Sequence, residues 1–346
     1  MSECYDVIII GAGPAGSIAA YEAASRGLGS VLLVEKEKAS RCKPCAGGLS
    51  PKTENILKDY HFWKEIEGSA YPIHNARIEI PDGKRRSKSF VLSNVRSAYV
   101  VNRARFDEIL VNAAVGAGAQ LKENTKVEEL LFNKSRAIGI RTAGGEAAFG
   151  KFIIVAAGAL NRFHRDFRKK LYFTACIGWF KNVQFTPNTL EIIFEKELKP
   201  QYGWLFPESP DCVNIGLCIE LKRLKGKKLT DIFAAFLSRQ FGSRLSNACQ
   251  AGRLLYHPII SCTRIAHYAI PGTLLAGEAD RLVNCFTGEG IAYALESGIL
   301  AVRTIEEGIK KDLGDQALSN LYLQRLRHKL EASLVKGGLF KTMGNI

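Results

Sequence analysis

The chain opens on an unbroken apolar run, Val7-Ile8-Ile9-Ile10. A β-branched run without polar alternation suits a parallel strand covered on both faces. A second short run, residues 31–34, predicts the next strand, with a small-residue helix between the two. Residues 53–67 read as helical. Residues 71–101 alternate in strand fashion, with Ile78 and Ile80, then Phe90 to Leu92, then Ala98 to Val101, broken by a Pro81-Asp82-Gly83 turn. From residue 102 a long helix is predicted to about 118, because Phe106, Ile109, Leu110, Ala113 and Ala114 recur at helical spacing. Strands are expected near 120–121, 126–132, 137–142 and 151–155. Residues 172–220 contain mostly strand-like runs. Residues 229–247 read as an amphipathic helix, with Leu229, Ile232, Phe233, Phe236, Leu237 and Phe241 on one side. Residues 272–309 predict strand, loop and long helix, and a basic helical tail covers 315–343.

Between the first two strands the chain places Gly11, Gly13 and Gly16 at GxGxxG spacing. The first glycine permits a tight turn, the second lets backbone approach a pyrophosphate, and the third lets helix pack on strand. The helix starting near Pro14 then points free N–H groups at phosphate. The second strand ends in Glu35, whose carboxylate suits the hydroxyls of an adenosine ribose and repels a ribose 2′-phosphate. Strand, loop, helix, strand and acid fall in order within one unit of about 30 residues, which separates this motif from a chance glycine-rich turn. A second GxGxxG after a strand is absent. That favours one tightly held dinucleotide over a two-nucleotide enzyme.

The chain has 346 residues, 47% of them hydrophobic and 24% charged, which predicts a folded protein of two interleaved domains. No apolar run reaches the roughly eighteen residues of a membrane span, and the N-terminus lacks the pattern of a signal peptide. Nine scattered cysteines suit a reducing cytoplasm. The formal charge of +14 leaves three readings: nucleic acid, an anionic membrane surface, or a basic solvated surface. No nucleic-acid motif accompanies it. Lys84-Arg85-Arg86, Arg168-Lys169-Lys170 and Lys225 to Lys228 read as solvated loops. Cys42 and Cys45 have CxxC spacing, but a zinc site needs a second pair, so no metal is expected. A redox dithiol and a single working cysteine both stay open. Tyr202 and Trp204, two apart on a strand, share a face and either line an apolar groove or belong to the core. The tail stripe Leu318, Leu321, Tyr322, Leu326, Leu330 and Leu334, flanked by Arg325, Arg327, Lys329 and Lys336, either rests on a membrane or packs on the core.

Five motifs together resemble the geranylgeranyl reductase family of FAD-dependent oxidoreductases, within the wider fold of aromatic hydroxylases. They are Gly11-Ala-Gly-Pro-Ala-Gly16 with Glu35; Lys43-Pro-Cys-Ala-Gly-Gly-Leu-Ser-Pro51; Arg103 and Arg105 before Phe106-Asp107; Pro200-Gln-Tyr-Gly-Trp-Leu-Phe-Pro207; and the stretch from Gly277 to Ile291 with its F-T-G-E-G-I. The chain departs from the family pattern at Glu278, where Asp is usual, at Asp280 and Cys285, and at Ala157-Gly158-Ala159, which lacks an acid.

The resemblance implies an α/β fold: a Rossmann-type FAD-binding domain (1–70, 101–165 and 268–312) with an inserted antiparallel β-sheet substrate domain (71–100 and 166–267) and a C-terminal helical tail (313–346). It implies FAD contacts from Gly11, Gly13, Ala15, Gly16, Glu35, Lys36, Cys45, Ala46, Gly47, Arg103, Ala157, Gly158, Gly277, Glu278, Gly288, Gly290 and Ile291. Cys45 is the implied catalytic residue, and Tyr202, Trp204 and Phe206 are the implied substrate-lining residues. The implied activity is reduction of carbon–carbon double bonds in a prenyl lipid, with NADPH or a ferredoxin as electron donor. An FAD monooxygenase acting on a small molecule is the alternative. The expected setting is the cytoplasm or the surface of an anionic membrane, with no nucleic-acid partner.

Overall fold

The computed structural model describes residues 3–81, 87–163, 171–265 and 270–343. By contact the chain divides into two compact units: Met1–Arg41, Ala104–Lys170 and Ile260–Gly338 in the first, and Cys42–Arg103, Leu171–Ile259 and Leu339–Ile346 in the second.

In the first unit, strand Glu3–Ile10 lies between Val31–Val34 and Ala147–Val155, parallel to both. Gln120–Lys122 extends the sheet beyond Val31–Val34. Thr273–Leu275 pairs in parallel with the end of Ala147–Val155, and Arg136–Thr142 pairs antiparallel with its beginning. The apolar run divides as a doubly covered strand should. Val7 and Ile9 join one core cluster, and Ile8 and Ile10 join the cluster on the opposite face. Helices Pro14–Ser25 and Ile291–Lys310 pack closely, because Gly298 sits where a Cβ would come 2.3 Å from the Ala15 carbonyl oxygen. The tail stripe joins the first cluster: Tyr322, Leu326, Leu330 and Leu334 are fully buried and Leu318 nearly so. Core packing therefore uses this stripe, and it is not available to a membrane.

The second unit is built on a sheet ordered Cys249–Gln250, Leu171–Lys181, Cys212–Glu220, Gly203–Pro207, Thr189–Ile193, Tyr71–Pro81, Ser87–Val100 and Gly48–Leu49. Along this order the strands are antiparallel except at one junction. Thr189–Ile193 runs parallel to Tyr71–Pro81, where the two separate stretches of sequence meet. Helix Leu229–Phe241 covers one face with Phe233, Phe236 and Phe241, packed on Leu205, Val213, Ile215 and Leu217. Gly203 makes room for this packing, since a Cβ there would meet the Phe236 ring at 2.1 Å.

One local expectation changes. Residues 53–67 form two helices, Pro51–Lys58 and Trp63–Ser69. Ser50 fixes the first start, its Oγ accepting from the Thr53 N–H at 3.3 Å with Pro51 behind it. The alternating 71–101 stretch forms two strands as expected, Tyr71–Pro81 and Ser87–Val100, and Asp82 and Gly83 of the expected turn fall outside the described residues. Lys225, Lys227 and Lys228 lie exposed in a loop. The other two basic clusters, at 84–86 and 168–170, fall outside the described residues.

Candidate active site

In the first unit the glycine turn is built almost wholly from backbone. Gly11 has φ +100°, donates its N–H to the Val34 carbonyl at 2.7 Å, and has no space for a Cβ, which would sit 2.5 Å from the Ala156 oxygen. A Cβ on Gly16 would lie 1.8 Å from the Gly11 oxygen. Gly13 differs: a Cβ there would meet nothing within 4 Å. It caps the helix Pro14–Ser25 with no side-chain acceptor, so the first-turn N–H groups keep their donor capacity. Glu35 is buried. Its Oε2 accepts from the Ala12 N–H at 2.8 Å and its Oε1 from the Glu37 N–H at 3.2 Å. Lys36, next to it, is exposed.

The other motifs of this unit come to the same turn. Gly277, at φ +64°, donates to Ser297 Oγ at 2.8 Å, and a Cβ on it would touch Ala15 at 3.0 Å. Glu278 is half-buried and accepts from the Ile260 N–H at 3.2 Å. Gly158 has φ +72° and accepts from the Asn161 N–H, while Ala156 donates to Ile10. Asn284 shapes the loop between Gly277 and Gly290. Its Oδ1 accepts from the Phe286 and Thr287 N–H groups at 3.0 and 3.1 Å, and its own carbonyl accepts from Gly288 at 2.9 Å. Gly290 then caps helix Ile291–Lys310, again with no side-chain acceptor. Two helix N-termini without side-chain caps, open space beside Gly13 and one buried carboxylate at the end of the second strand fit a dinucleotide.

Sequence reasoning missed Arg41 and Asn284. Arg41 lies 3.6 Å from the Glu35 carboxylate and 3.8 Å from Asp107, which is buried. It offsets two carboxylates that burial would otherwise penalise. The signal was a cation six residues past the ribose acid. The departures from the family pattern, Asp280 and Cys285, are both buried. Nearby, burial and the Asp280 carboxylate push the Cys262 thiol up to about 12.

The second unit holds the other predicted residues. Trp204 and Phe206 point away from the helix-covered face and are buried, and Tyr202 is half-buried. Their rings follow one another, Phe194 to Tyr202 at 5.7 Å, Tyr202 to Trp204 at 6.2 Å and Trp204 to Phe206 at 6.4 Å. Gly216, paired opposite Trp204, leaves the space its indole fills, since a Cβ there would lie 2.3 Å from that ring. Asn214, opposite Phe206, is fully buried; it accepts from the Trp204 indole N–H at 2.8 Å and donates to the Cys45 carbonyl at 3.4 Å. One side chain thus ties the aromatic strand to the cysteine loop. Sequence reasoning missed Asn214 as well; its only signal was an amide in a strand of apolar residues.

The cysteine loop is pinned at Gly47, whose φ is +74° and whose Cβ would collide with the Val101 oxygen at 2.2 Å. Gly47 donates its N–H to Cys45 Sγ at 3.4 Å. Ala46 lies between them, half-buried, and Arg103 is buried at the start of helix Arg103–Gly116. Cys42 and Cys45 are both free thiols, the first exposed and the second half-buried. Partial burial, reinforced by the Glu208 carboxylate, pushes the Cys42 thiol upward, away from the thiolate that a reactive dithiol needs. Among the described residues no group of His, Cys, Asp and Glu could hold a metal ion, and no helix is long and apolar enough to cross a membrane.

Residues 4–159 match the FAD binding domain family, and residues 174–251 match the geranylgeranyl reductase catalytic domain. An uncharacterized protein of Methanosarcina barkeri is 30% identical, with 97% of this chain and 84% of that protein covered. The digeranylgeranylglycerophospholipid reductase of Methanosphaerula palustris is 29% identical over 93% of this chain and 82% of its own length. A geranylgeranyl bacteriochlorophyll reductase-like protein of Thermoplasma acidophilum has the same fold, with a TM-score of 0.86 at 22% identity, covering 99% of this chain and 88% of that one. A myxobacterial chondrochloren halogenase, a variant of FAD-dependent halogenases, follows at a TM-score of 0.80 and 22% identity, covering 99% and 82%. Fold and site define an FAD-dependent oxidoreductase. The chain belongs to the geranylgeranyl reductase family of these enzymes.

Proposed function

We propose that this enzyme saturates carbon–carbon double bonds in the geranylgeranyl chains of a glycerophospholipid. The observation that carries the reading is the aromatic face Tyr202, Trp204 and Phe206, joined through Asn214 to the Cys45 loop, within the stretch that matches the geranylgeranyl reductase catalytic domain. An isoprenoid offers no polar handle. It is held by apolar rings that shape a groove, and a strand presenting alternate aromatics supplies them.

FAD, when bound, supplies a hydride to one alkene carbon. In this reading Gly11, Gly13, Ala15 and Gly16 receive its pyrophosphate on backbone N–H groups. Glu35 takes the adenosine ribose, with Lys36 beside it at the solvent edge. Ala157, Gly158, Gly277 and Glu278, in the same unit, serve the rest of the cofactor. The helix N-terminus at Gly288, Gly290 and Ile291 offers its N–H groups to the flavin ring, where they favour negative charge. Saturation also needs a proton on the second carbon, and Cys45 donates it from Sγ. The Gly47 N–H donates to that sulfur and fixes its place in the loop. Electrons come from NADPH or a ferredoxin. Glu35 repels a ribose 2′-phosphate, so NADPH does not use the turn at 11–35.

The test is anaerobic. The holoenzyme is reduced with dithionite and given a digeranylgeranyl glycerophospholipid in detergent. The expected product gains two hydrogens per double bond. A lipid recovered unchanged would sink the reading, and an oxygenated product under air would point to the monooxygenase chemistry of the same fold.

A further inference from the structure

The sheet face that carries Tyr202, Trp204 and Phe206 continues across the neighbouring strands. Trp204 is paired with Gly216 and Phe206 with Asn214. On the far side of Cys212–Glu220, Gly216 is paired with Ile177 and Asn214 with Trp179. Directly paired residues project to the same face. Trp179, Asn214 and Phe206 therefore form one row across three strands, with Ile177, Gly216 and Trp204 beside it. Ile177 and Trp204 are buried, whereas Trp179, like Tyr202, is only half-buried.

The two indoles are held alike. Trp204 donates its N–H to Asn214 Oδ1 at 2.8 Å, and Trp179 donates its own to Glu208 Oε2 at 2.8 Å. The other carboxylate oxygen, Glu208 Oε1, accepts from Asn102 Nδ2 at 2.6 Å. The Glu208 N–H donates to the Cys212 carbonyl at 2.9 Å, so the backbone fixes where this carboxylate starts. An indole tied to a carboxylate has a set ring plane and still offers an apolar face. The cysteine loop meets both anchors. Asn214 donates to the Cys45 carbonyl at 3.4 Å, and burial together with the Glu208 carboxylate raises the Cys42 thiol. Asn214 stands between Phe206 and Trp179 in the row, so a chain lying on the aromatic face reaches Trp179 where it passes Cys45. We propose that Trp179 is a further substrate-lining residue, the wall that sets how far a prenyl chain advances past Cys45, and that Glu208 is its positioning residue. This rests on the reductase reading and deepens it, since the wall decides which double bonds come to Cys45.

The experiment has two arms. Calorimetric titration of the oxidised holoenzyme with a digeranylgeranyl glycerophospholipid in detergent measures affinity without turnover. Mass analysis after reductive turnover then counts the hydrogens added per chain. Trp179→Ala should keep its FAD, weaken lipid binding by about tenfold, and shift the products toward partly saturated chains. Trp179→Phe keeps a ring without the N–H and should weaken binding by only about threefold, which preserves the test if the alanine variant does not fold. Glu208→Leu should reproduce the alanine pattern, and Glu208→Gln, which retains an acceptor for the indole, should behave as wild type. Unchanged affinity and products in the Trp179 variants would overturn the proposal, as would loss of FAD from them. Glu208→Gln behaving like Glu208→Leu would overturn the positioning role. The two readings fail separately. Lipid that binds wild type but is never reduced defeats the reductase reading, while the variants' affinities still decide the wall. Lipid bound and reduced alike by wild type and Trp179→Ala defeats the wall alone.

Discussion

The glycine turn of the first unit and the aromatic strand of the second solve opposite problems. At residues 11–16 the fold removes side chains: any Cβ on Gly11 or Gly16 strikes backbone, and the only open space lies beside Gly13. In the proposed function a charged pyrophosphate is met there by fixed N–H groups, which cost no side-chain entropy. On the strand Gly203–Pro207 the fold adds side chains. Gly203 and Gly216 are small so that Phe236 and Trp204 can be large, and a buried amide fixes the indole. The first region lies within the stretch that matches the FAD binding domain family. The second gives this enzyme its own apolar surface, and it depends on residues far apart in sequence.

The comparison breaks most sharply at Gly16. Gly16→Val places carbon against the Gly11 carbonyl, and we expect little soluble protein and no yellow colour after purification. Gly13→Ala is the matched control. Its methyl enters open space, so the protein should fold, yet FAD retention should fall by roughly tenfold if the pyrophosphate takes that space as proposed. Equal behaviour of the two variants would erase the distinction between a packing glycine and a binding glycine.

Next in size is the aromatic strand. Trp204→Phe keeps an aromatic ring but abandons Asn214 Oδ1, and should retain FAD while losing most lipid turnover. Asn214→Leu leaves the indole N–H unpaired in a buried site, which costs about 1–3 kcal/mol. The melting temperature should drop by a few degrees, with KM for lipid rising and FAD content constant. A drop in FAD content instead would place Asn214 on the cofactor side of the comparison.

The smallest effect is expected at the cysteines' outer member. Cys42→Ser should leave turnover within about twofold, whereas Cys45→Ala should abolish it. Because the Cys42 thiol is pushed upward, its alkylation at neutral pH should be slow and should accelerate only as pH rises into the alkaline range. Fast alkylation at pH 7 would contradict that environment and revive the dithiol.

Sequence reading reached these two regions unequally, for a physical reason. Gly11, Gly13, Gly16 and Glu35 lie within one βαβ unit, so spacing alone reports their geometry. The apolar run 7–10 likewise announced a strand covered on both faces. Asn214 and Arg41 were not legible. Asn214 matters through pairing with Phe206 and through Cys45, 169 residues earlier, and no local pattern encodes that contact. Arg41 matters because it reaches both Glu35 and Asp107. The tail showed a stripe but not its destination, since amphipathicity states that a face is buried without saying against what. The alternation at Phe90 to Leu92 announced a strand, but spacing alone does not say how exposed its side chains are in the sheet.

The division of labour between turn and strand is tested most directly by anaerobic reoxidation of reduced holoenzyme, wild type against Trp204→Phe, on addition of a digeranylgeranyl glycerophospholipid. Both proteins should carry the same FAD content; the wild-type flavin should reoxidise as lipid is saturated, and the variant's should stay reduced. Loss of FAD from the variant, or a wild-type flavin that the lipid leaves reduced, would contradict the account.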